Sequence, residues 1–173
     1  MRASRASRMT SSREQEFTEF FAAHAAGLRR TAYLVVHDWH LAEDFTQQGM
    51  AKLYAVWRRT RADTRLAYAR RIVVNECLSH LRRKRPETPT EEVPDAPHET
   101  RDQVLDLARA LDLLPPRQRA IVALRFLDDL SVHEVAHLLD IAEGTVKSQT
   151  SRALETLRRH LPDLAPALKE GDR

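Results

Sequence analysis

LSVHEVAHLLDIAEGTVKSQTSRAL, residues 130–154, carries the pattern that decides the fold. Val132, Val135, Ala136 and Leu139 recur at helical spacing, and beyond a short break Val146, Thr150, Ala153, Leu154 and Leu157 do the same. Each half therefore has one stripe to bury and a polar remainder, which predicts two short helices across a tight turn. Gly144 and Thr145 open the second helix, where backbone N–H groups without helical partners favour an anion. Lys147, Ser148, Ser151 and Arg152 follow on the same face, because residues three, four, seven and eight apart line one side of a helix. Side chains of these types hydrogen-bond base edges and phosphates, so the face is suited to a DNA groove.

The same stretch contains a competing motif. His133-Glu134-Val135-Ala136-His137 matches H-E-x-x-H, in which two histidines one turn apart hold zinc and the glutamate activates water. A zinc hydrolase would need a third ligand, and Glu155 would have to turn from one helix to the other to supply it. No Gly-rich or acidic surroundings orient the two histidines. Solvent-facing histidines explain the pattern with fewer assumptions, and we expect no metal, no cofactor and no catalysis.

Strand signals are nearly absent. The 173 residues include only four glycines, show no alternating run of Val, Ile or Thr, and place almost every apolar cluster at the helical period. The expected fold class is all-α: two small helical domains joined by an acidic Pro-rich linker, the second carrying the helix-turn-helix. The single cysteine, Cys77, excludes an internal disulfide and fits a reducing, cytoplasmic setting. No apolar run approaches the ~20 residues that span a bilayer, so no membrane insertion is expected.

Residues 1–13, with four arginines and no acid, read as a disordered basic arm. Residues 14–85 form the first domain, at net charge +5. Its expected apolar stripes are Phe17, Phe20, Phe21, Leu28, Ala32 and Val35; then Phe45, Gly49, Leu53 and Val56; then Tyr68, Ile72, Leu78 and Leu81. Three long helices packed together follow from these stripes. Residues 86–103 hold four prolines and a net charge of −5, a linker composition. Residues 104–161, with zero net charge, form the second domain of four helices, and 162–173 are a short polar tail. Gly49 lies inside a helix, where glycine costs ~1 kcal/mol relative to alanine, so close approach of another helix would explain it. Cys77 stands among apolar neighbours and is expected to be buried rather than reactive.

Three stretches in this order, AEDFTQQGMAKLYAVW (42–57), AYARRIVVNECLSHLRRKR (67–85) and the long run from Leu113 to Arg158 that contains the opening motif, resemble the bacterial RNA polymerase sigma factors of the extracytoplasmic-function (ECF) group. The resemblance spans roughly residues 14–161 and sets region 2 and region 4 on either side of the linker. It implies a promoter-specificity subunit without catalysis of its own, with core RNA polymerase (β' clamp helices and β subunit), promoter DNA and an anti-sigma factor as partners. By the same resemblance Asp44, Gln47 and Gln48 would meet core polymerase. Arg61, Asp63, Thr64, Arg70, Arg71, Asn75, Arg82 and Arg83 would open and read the -10 element. Arg125, Thr145, Lys147, Ser148, Ser151 and Arg152 would read the -35 element. Three departures from the family pattern matter: Gln48 where glutamate is common, Asp140 where the turn usually has glycine, and Ala142 where a Ser or Thr cap is usual. Asp tolerates the left-handed conformation better than most residues, whereas a lost cap costs ~1 kcal/mol. An autonomous helix-turn-helix regulator, dimeric on its operator, is the alternative from a different class.

Overall fold

The computed structural model describes residues 2–83 and 106–160, and its described residues are helices joined by short turns with no strand. Helix α1 runs Arg2–Val36, α2 Trp39–Val56 and α3 Arg65–Arg83, with a 3-10 turn at Ala62–Thr64 before α3. In the second unit α4 covers 106–111 and α5 Pro116–Val122, followed by a π-helical segment Ala123–Leu127; α6 is Val132–Leu139 and α7 Glu143–His160. The fold is all-α, as the periodicity requires. The linker and the tail lie outside the described residues.

One expected boundary moves. Residues 2–13, read as a disordered arm, are the first turns of α1; they contain neither glycine nor proline, so nothing in the chain stops the helix from starting early. Arg13, assigned to that arm, packs its guanidinium 4.0 Å from the centre of the Tyr54 ring and donates to the Tyr54 carbonyl.

Within the first unit α1, α2 and α3 pack pairwise. Leu28, Met50, Leu53, Trp57 and Ala69 form one cluster, flanked by Phe17 and Phe20, whose rings both meet the Trp57 ring edge-on at 5.2 Å. Arg65 covers another part of the indole at 3.7 Å, so Trp57 is boxed by aromatic edges and a cation. Phe21, expected in the α1 stripe, is exposed. The α3 stripe also differs: Ala69, Val73, Val74 and Cys77 are the buried set, while Tyr68 is exposed and Ile72, Leu78 and Leu81 are half-buried. Small and β-branched residues take the closest contact because α3 approaches α2 tightly at Gly49. A β-carbon built there would stand 2.6 Å from Val73 Cγ2 and 3.4 Å from the Ala69 carbonyl oxygen, so the close approach anticipated for this glycine is present.

The two units are not independent bodies. One contiguous core takes Tyr33, Leu34 and Val35 from α1, Val73, Val74 and Cys77 from α3, and Leu111, Ile121, Leu124 and Val135 from the second unit. Helix α1 lies against α5, and α3 against both α5 and α6. Amphipathic stripes on α3 predict one buried face, but a helix flanked on two sides buries more than one.

Candidate nucleic-acid interface

The second unit presents the helix-turn-helix expected from the sequence. Ser131 caps α6: its hydroxyl accepts the Glu134 N–H at 3.2 Å, and the Glu134 carboxylate accepts the Ser131 N–H at 2.7 Å. This reciprocal capping box satisfies two otherwise orphan donors. The hydrogen bond from Ser131 also holds the Glu134 carboxyl below its ordinary range. Glu134, the glutamate of the H-E-x-x-H match, is thus engaged in starting the helix. His133 lies 3.0 Å from Glu143, and His137 is exposed. Among the described residues no group of three His, Cys, Asp or Glu side chains gathers to hold a metal.

Asp140 ends α6 in the left-handed conformation (φ 53°, ψ 55°), which turns the chain into α7. Ala142 offers only its backbone carbonyl there, accepting the Thr145 and Val146 N–H groups at 2.9 and 3.2 Å. Val146, Ala153, Leu154 and Leu157 bury the inner side of α7. Gly144, Lys147, Ser148, Ser151 and Arg152 are all exposed on the outer side, with Thr145 half-buried beside them. Ser148 donates to the Thr145 carbonyl at 3.1 Å, while Glu155, one turn further on, is turned to Arg159 at 3.0 Å. The face is continuous, basic and open.

Arg125 lies ahead of α6, on the π-helical segment. Its guanidinium is half-buried, donates to the Leu130 carbonyl and lies 5.9 Å from the Phe126 ring, bracing the turn before α6. A basic residue in a helix ahead of the motif carries no sequence signal that separates bracing from reading.

In the first unit Arg61, Asp63 and Thr64 form one exposed turn. Arg61 grips Asp63 at 3.0 and 3.2 Å, and Thr64 donates to the Arg61 carbonyl at 3.0 Å. The hydrogen bond from Arg61 holds the Asp63 carboxyl below its usual range. Arg71, Asn75, Arg82 and Arg83 are exposed along α3, with Arg82 donating to Ser79 Oγ at 2.9 Å. Arg70 is different. Only 13% of its side chain is exposed, and its Nε stands 3.0 Å from Oδ2 of Asp128, itself 8% exposed. A groove of about 420 Å³ runs between the Thr60–Thr64 turn and the start of α3 on one side and Leu130, Glu134, His137 and Leu138 on the other. Part of the expected -10 surface is therefore walled by the helix-turn-helix unit.

Asp44, Gln47 and Gln48 lie together on the exposed arc of α2, opposite buried Phe45, Gly49 and Leu53. Glu43, which sequence reasoning passed over, joins them: it accepts from Gln47 at 3.0 Å and from Arg29 at 2.9 Å, and the Gln47 hydrogen bond favours its ionised form. Its place one residue before Asp44, edging the same arc, was the available signal. Lys52 ties α2 to α3 through Glu76 at 2.7 Å.

Further residues missed from the sequence lie between the units. His37, in the left-handed region (φ 56°), ends α1. Its Nδ1 meets the Asp112 carboxylate, and its Nε2 lies 3.2 Å from an Arg119 nitrogen. Arg119 also donates to the Val35 and Leu114 carbonyls, both at 3.2 Å. Burial, then the neighbouring Arg119, push the His37 pKa below its ordinary value, so the neutral ring bridges a carboxylate and a guanidinium.

Comparison with known proteins accounts for both units. Residues 20–87 match the family model described as Sigma-70 region 2, and residues 105–157 the model described as Sigma-70, region 4. The chain is 38% identical over 153 residues to the RNA polymerase sigma-E factor of Streptomyces coelicolor, covering 84% of this chain and 86% of that protein. It is 35% identical over 150 residues to the ECF RNA polymerase sigma factor SigM of Mycobacterium tuberculosis, covering 84% and 76%. Its fold is similar to that of the sigma factor RpoE from Bartonella quintana, solved in complex with the anti-sigma factor NepR. That likeness has a TM-score of 0.70 at 23% identity and covers 92% of this chain and 99% of that one.

Proposed function

The chain belongs to the ECF sigma factors, and from that membership we propose how its surfaces divide the work of transcription initiation. As a sigma factor it binds core RNA polymerase, directs it to promoters through their -10 and -35 elements, and promotes melting of the DNA. Members of the family are initiation factors rather than enzymes. No helix among the described residues is long and apolar enough to cross a membrane, and we place the protein in the bacterial cytoplasm, where polymerase acts.

The observation that carries the assignment is the exposed row on α7, held behind a capped α6 and a left-handed turn at Asp140. Thr145, Lys147, Ser148, Ser151 and Arg152 read the -35 element from this row, the N-terminal half of a recognition helix being the part that meets base edges. Arg61, Asp63, Thr64, Arg71, Asn75, Arg82 and Arg83, with Arg70 once released, engage the -10 element. There the basic side chains neutralise phosphates and the turn receives an unstacked base, offsetting an unstacking cost of a few kcal/mol. Asp44, Gln47 and Gln48, with Glu43 beside them, dock on the β' clamp helices, and the helix-turn-helix unit meets the β subunit. An anti-sigma factor is the remaining partner we assign, by analogy with the complex in which the Bartonella protein was solved.

Run-off transcription with sigma-free core polymerase and a pool of promoters from the source genome tests this division. Changing Lys147 and Arg152 together to Ala should abolish transcription from -35-dependent promoters while leaving co-purification with core intact. Changing Asp44 and Gln47 to Ala should weaken core binding instead. Undiminished promoter output from the first variant would remove α7 from the reading role.

A further inference from the structure

Leu78 and Leu81 of α3 pack against the core yet are only half-buried, because one side of each faces a cleft. A cavity of about 370 Å³ opens where α3 passes the start of α5 and the end of α6, a volume within the ~300–1,000 Å³ range of small-molecule sites. Its floor is aliphatic, made of Leu78, Leu81, Leu139, Pro115 and Pro116. Its polar groups are Asn75, Arg82 and Arg117. Asn75, Leu78 and Arg82 recur at helical spacing and share one side of α3. No carboxylate lines this cleft. By contrast, the groove beside the Thr60–Thr64 turn contains Asp63 and Glu134, and the hollow around His133 and His137 contains Asp140 and Glu143. Arg117 is exposed, and Arg82 donates to the neutral hydroxyl of Ser79 at 2.9 Å. Neither guanidinium has a carboxylate partner among the described residues.

We propose that this cleft is a binding site for a small aliphatic carboxylate, with the hydrocarbon chain on the leucine and proline floor and the carboxylate held by Arg117 and Arg82. The floor selects an aliphatic body: each methylene it takes out of water tightens binding about fourfold. No aromatic ring lines the cleft, so it offers no platform on which a nucleobase would stack. The rim selects an anion. A guanidinium stays charged throughout the physiological range and offers a carboxylate parallel N–H donors, and no acidic neighbour in the cleft repels it. An inorganic anion would leave the floor uncovered, and an alcohol would leave both guanidinium groups unpaired. Asn75 and Arg82 are also assigned to the -10 element, so a bound carboxylate and DNA draw on the same two side chains. That consequence rests on the promoter assignment, whereas the site itself does not.

The test is isothermal titration calorimetry on the full-length chain, without DNA or polymerase, with octanoate as the probe and butyrate, 1-octanol and inorganic phosphate beside it. Octanoate should occupy a single site per chain. It should bind on the order of a hundredfold more tightly than butyrate, which lacks four methylenes, and about tenfold more tightly than 1-octanol, which lacks the charge. Phosphate should bind no better than butyrate. Pro116→Glu and Arg117→Gln, both at exposed positions, should each weaken octanoate about tenfold and leave 1-octanol unchanged. Arg158→Gln removes the same charge from the exposed last turn of α7 and should stay within about twofold of wild type. Equal losses from Arg117→Gln and Arg158→Gln would reduce the effect to net charge and overturn the proposal. So would phosphate or 1-octanol matching octanoate, or uptake of octanoate at many sites per chain. Absence of binding at millimolar octanoate, the result expected if another part of the chain fills the cleft, would overturn it equally. Circular dichroism checks that the variants are folded, and if Pro116→Glu is not, Arg117→Gln decides alone. Saturating octanoate should also weaken binding of a labelled single-stranded oligonucleotide in fluorescence anisotropy. A site confirmed by calorimetry with undiminished DNA binding would count against the -10 role of Asn75 and Arg82 and not against the cleft, so the two failures are distinguishable.

Discussion

Replacing Gly49 with Ala sets two opposing terms against each other. In an open helix interior the change stabilises by about 1 kcal/mol through backbone entropy. Here the new methyl would enter at 2.6 Å from Val73 Cγ2 and 3.4 Å from the Ala69 carbonyl oxygen. Val73 is fully buried and its β-branched side chain has essentially one rotamer in a helix, so the contact is relieved only by moving α2 from α3. Overpacking of this kind costs about 1–3 kcal/mol. The balance is a net loss of about 1 kcal/mol, equivalent to a fall of about 2–4 °C in Tm for a chain of this size. Urea unfolding followed by circular dichroism, with Gly49→Ala made in wild-type and Val73→Ala backgrounds, isolates the clash. The substitution should destabilise the wild type and stabilise the Val73→Ala protein, a reversal that propensity alone cannot produce. Stabilisation by the same amount in both backgrounds would refute the packing argument.

Two further outcomes are expected. His37 is held below its ordinary pKa of 6.5 by burial and then by Arg119, so on acidification the unfolded chain takes up the proton first. The resulting stability is complete above pH 6.5 and is lost as the pH falls from there through the folded value. Urea midpoints at pH 7.5, 6.5 and 5.5 should decline more steeply for wild type than for His37→Asn, a variant chosen because Asn accepts the left-handed backbone at this position; parallel declines would exonerate His37. Burial raises the Cys77 thiol to about 12, so it should resist a thiol-reactive chromophore in native buffer and react promptly in denaturant. Rapid native labelling would mean that α3 opens locally or that the thiol is not enclosed.

The features legible in the sequence are those that depend on neighbours a few residues away. The stripe from Val146 to Leu157, the exposed face of α7 and the exposed arc of Asp44, Gln47 and Gln48 follow from helical period alone. The left-handed turn at Asp140 was readable through the family resemblance, which sets this residue where the turn usually has glycine, and the close approach at Gly49 because glycine inside a helix needs a reason. The role of Arg70 was not readable: its partner Asp128 belongs to the other unit, and Thr31 meets Asp128 across 97 residues of chain. The α3 stripe was misread for the same cause, since its flank toward α5 and α6 depends on contacts that no local pattern encodes. Ser131 and Glu134 show the opposite failure. Their spacing is that of a capping box, and the overlapping H-E-x-x-H pattern drew the interpretation away from it.

The core shared by α1, α3 and the second unit also bears on how fast a partner can be engaged. Drawing the units apart breaks a core to which both contribute, so separation in water is an uphill, unimolecular event. A partner that accepts only separated units must wait for that event or drive it from an encounter complex. In either case stopped-flow binding should show an observed rate that levels off as partner concentration rises, rather than climbing linearly. The plateau is set by this chain's own packing, which makes the time taken to respond a property written into its hydrophobic core.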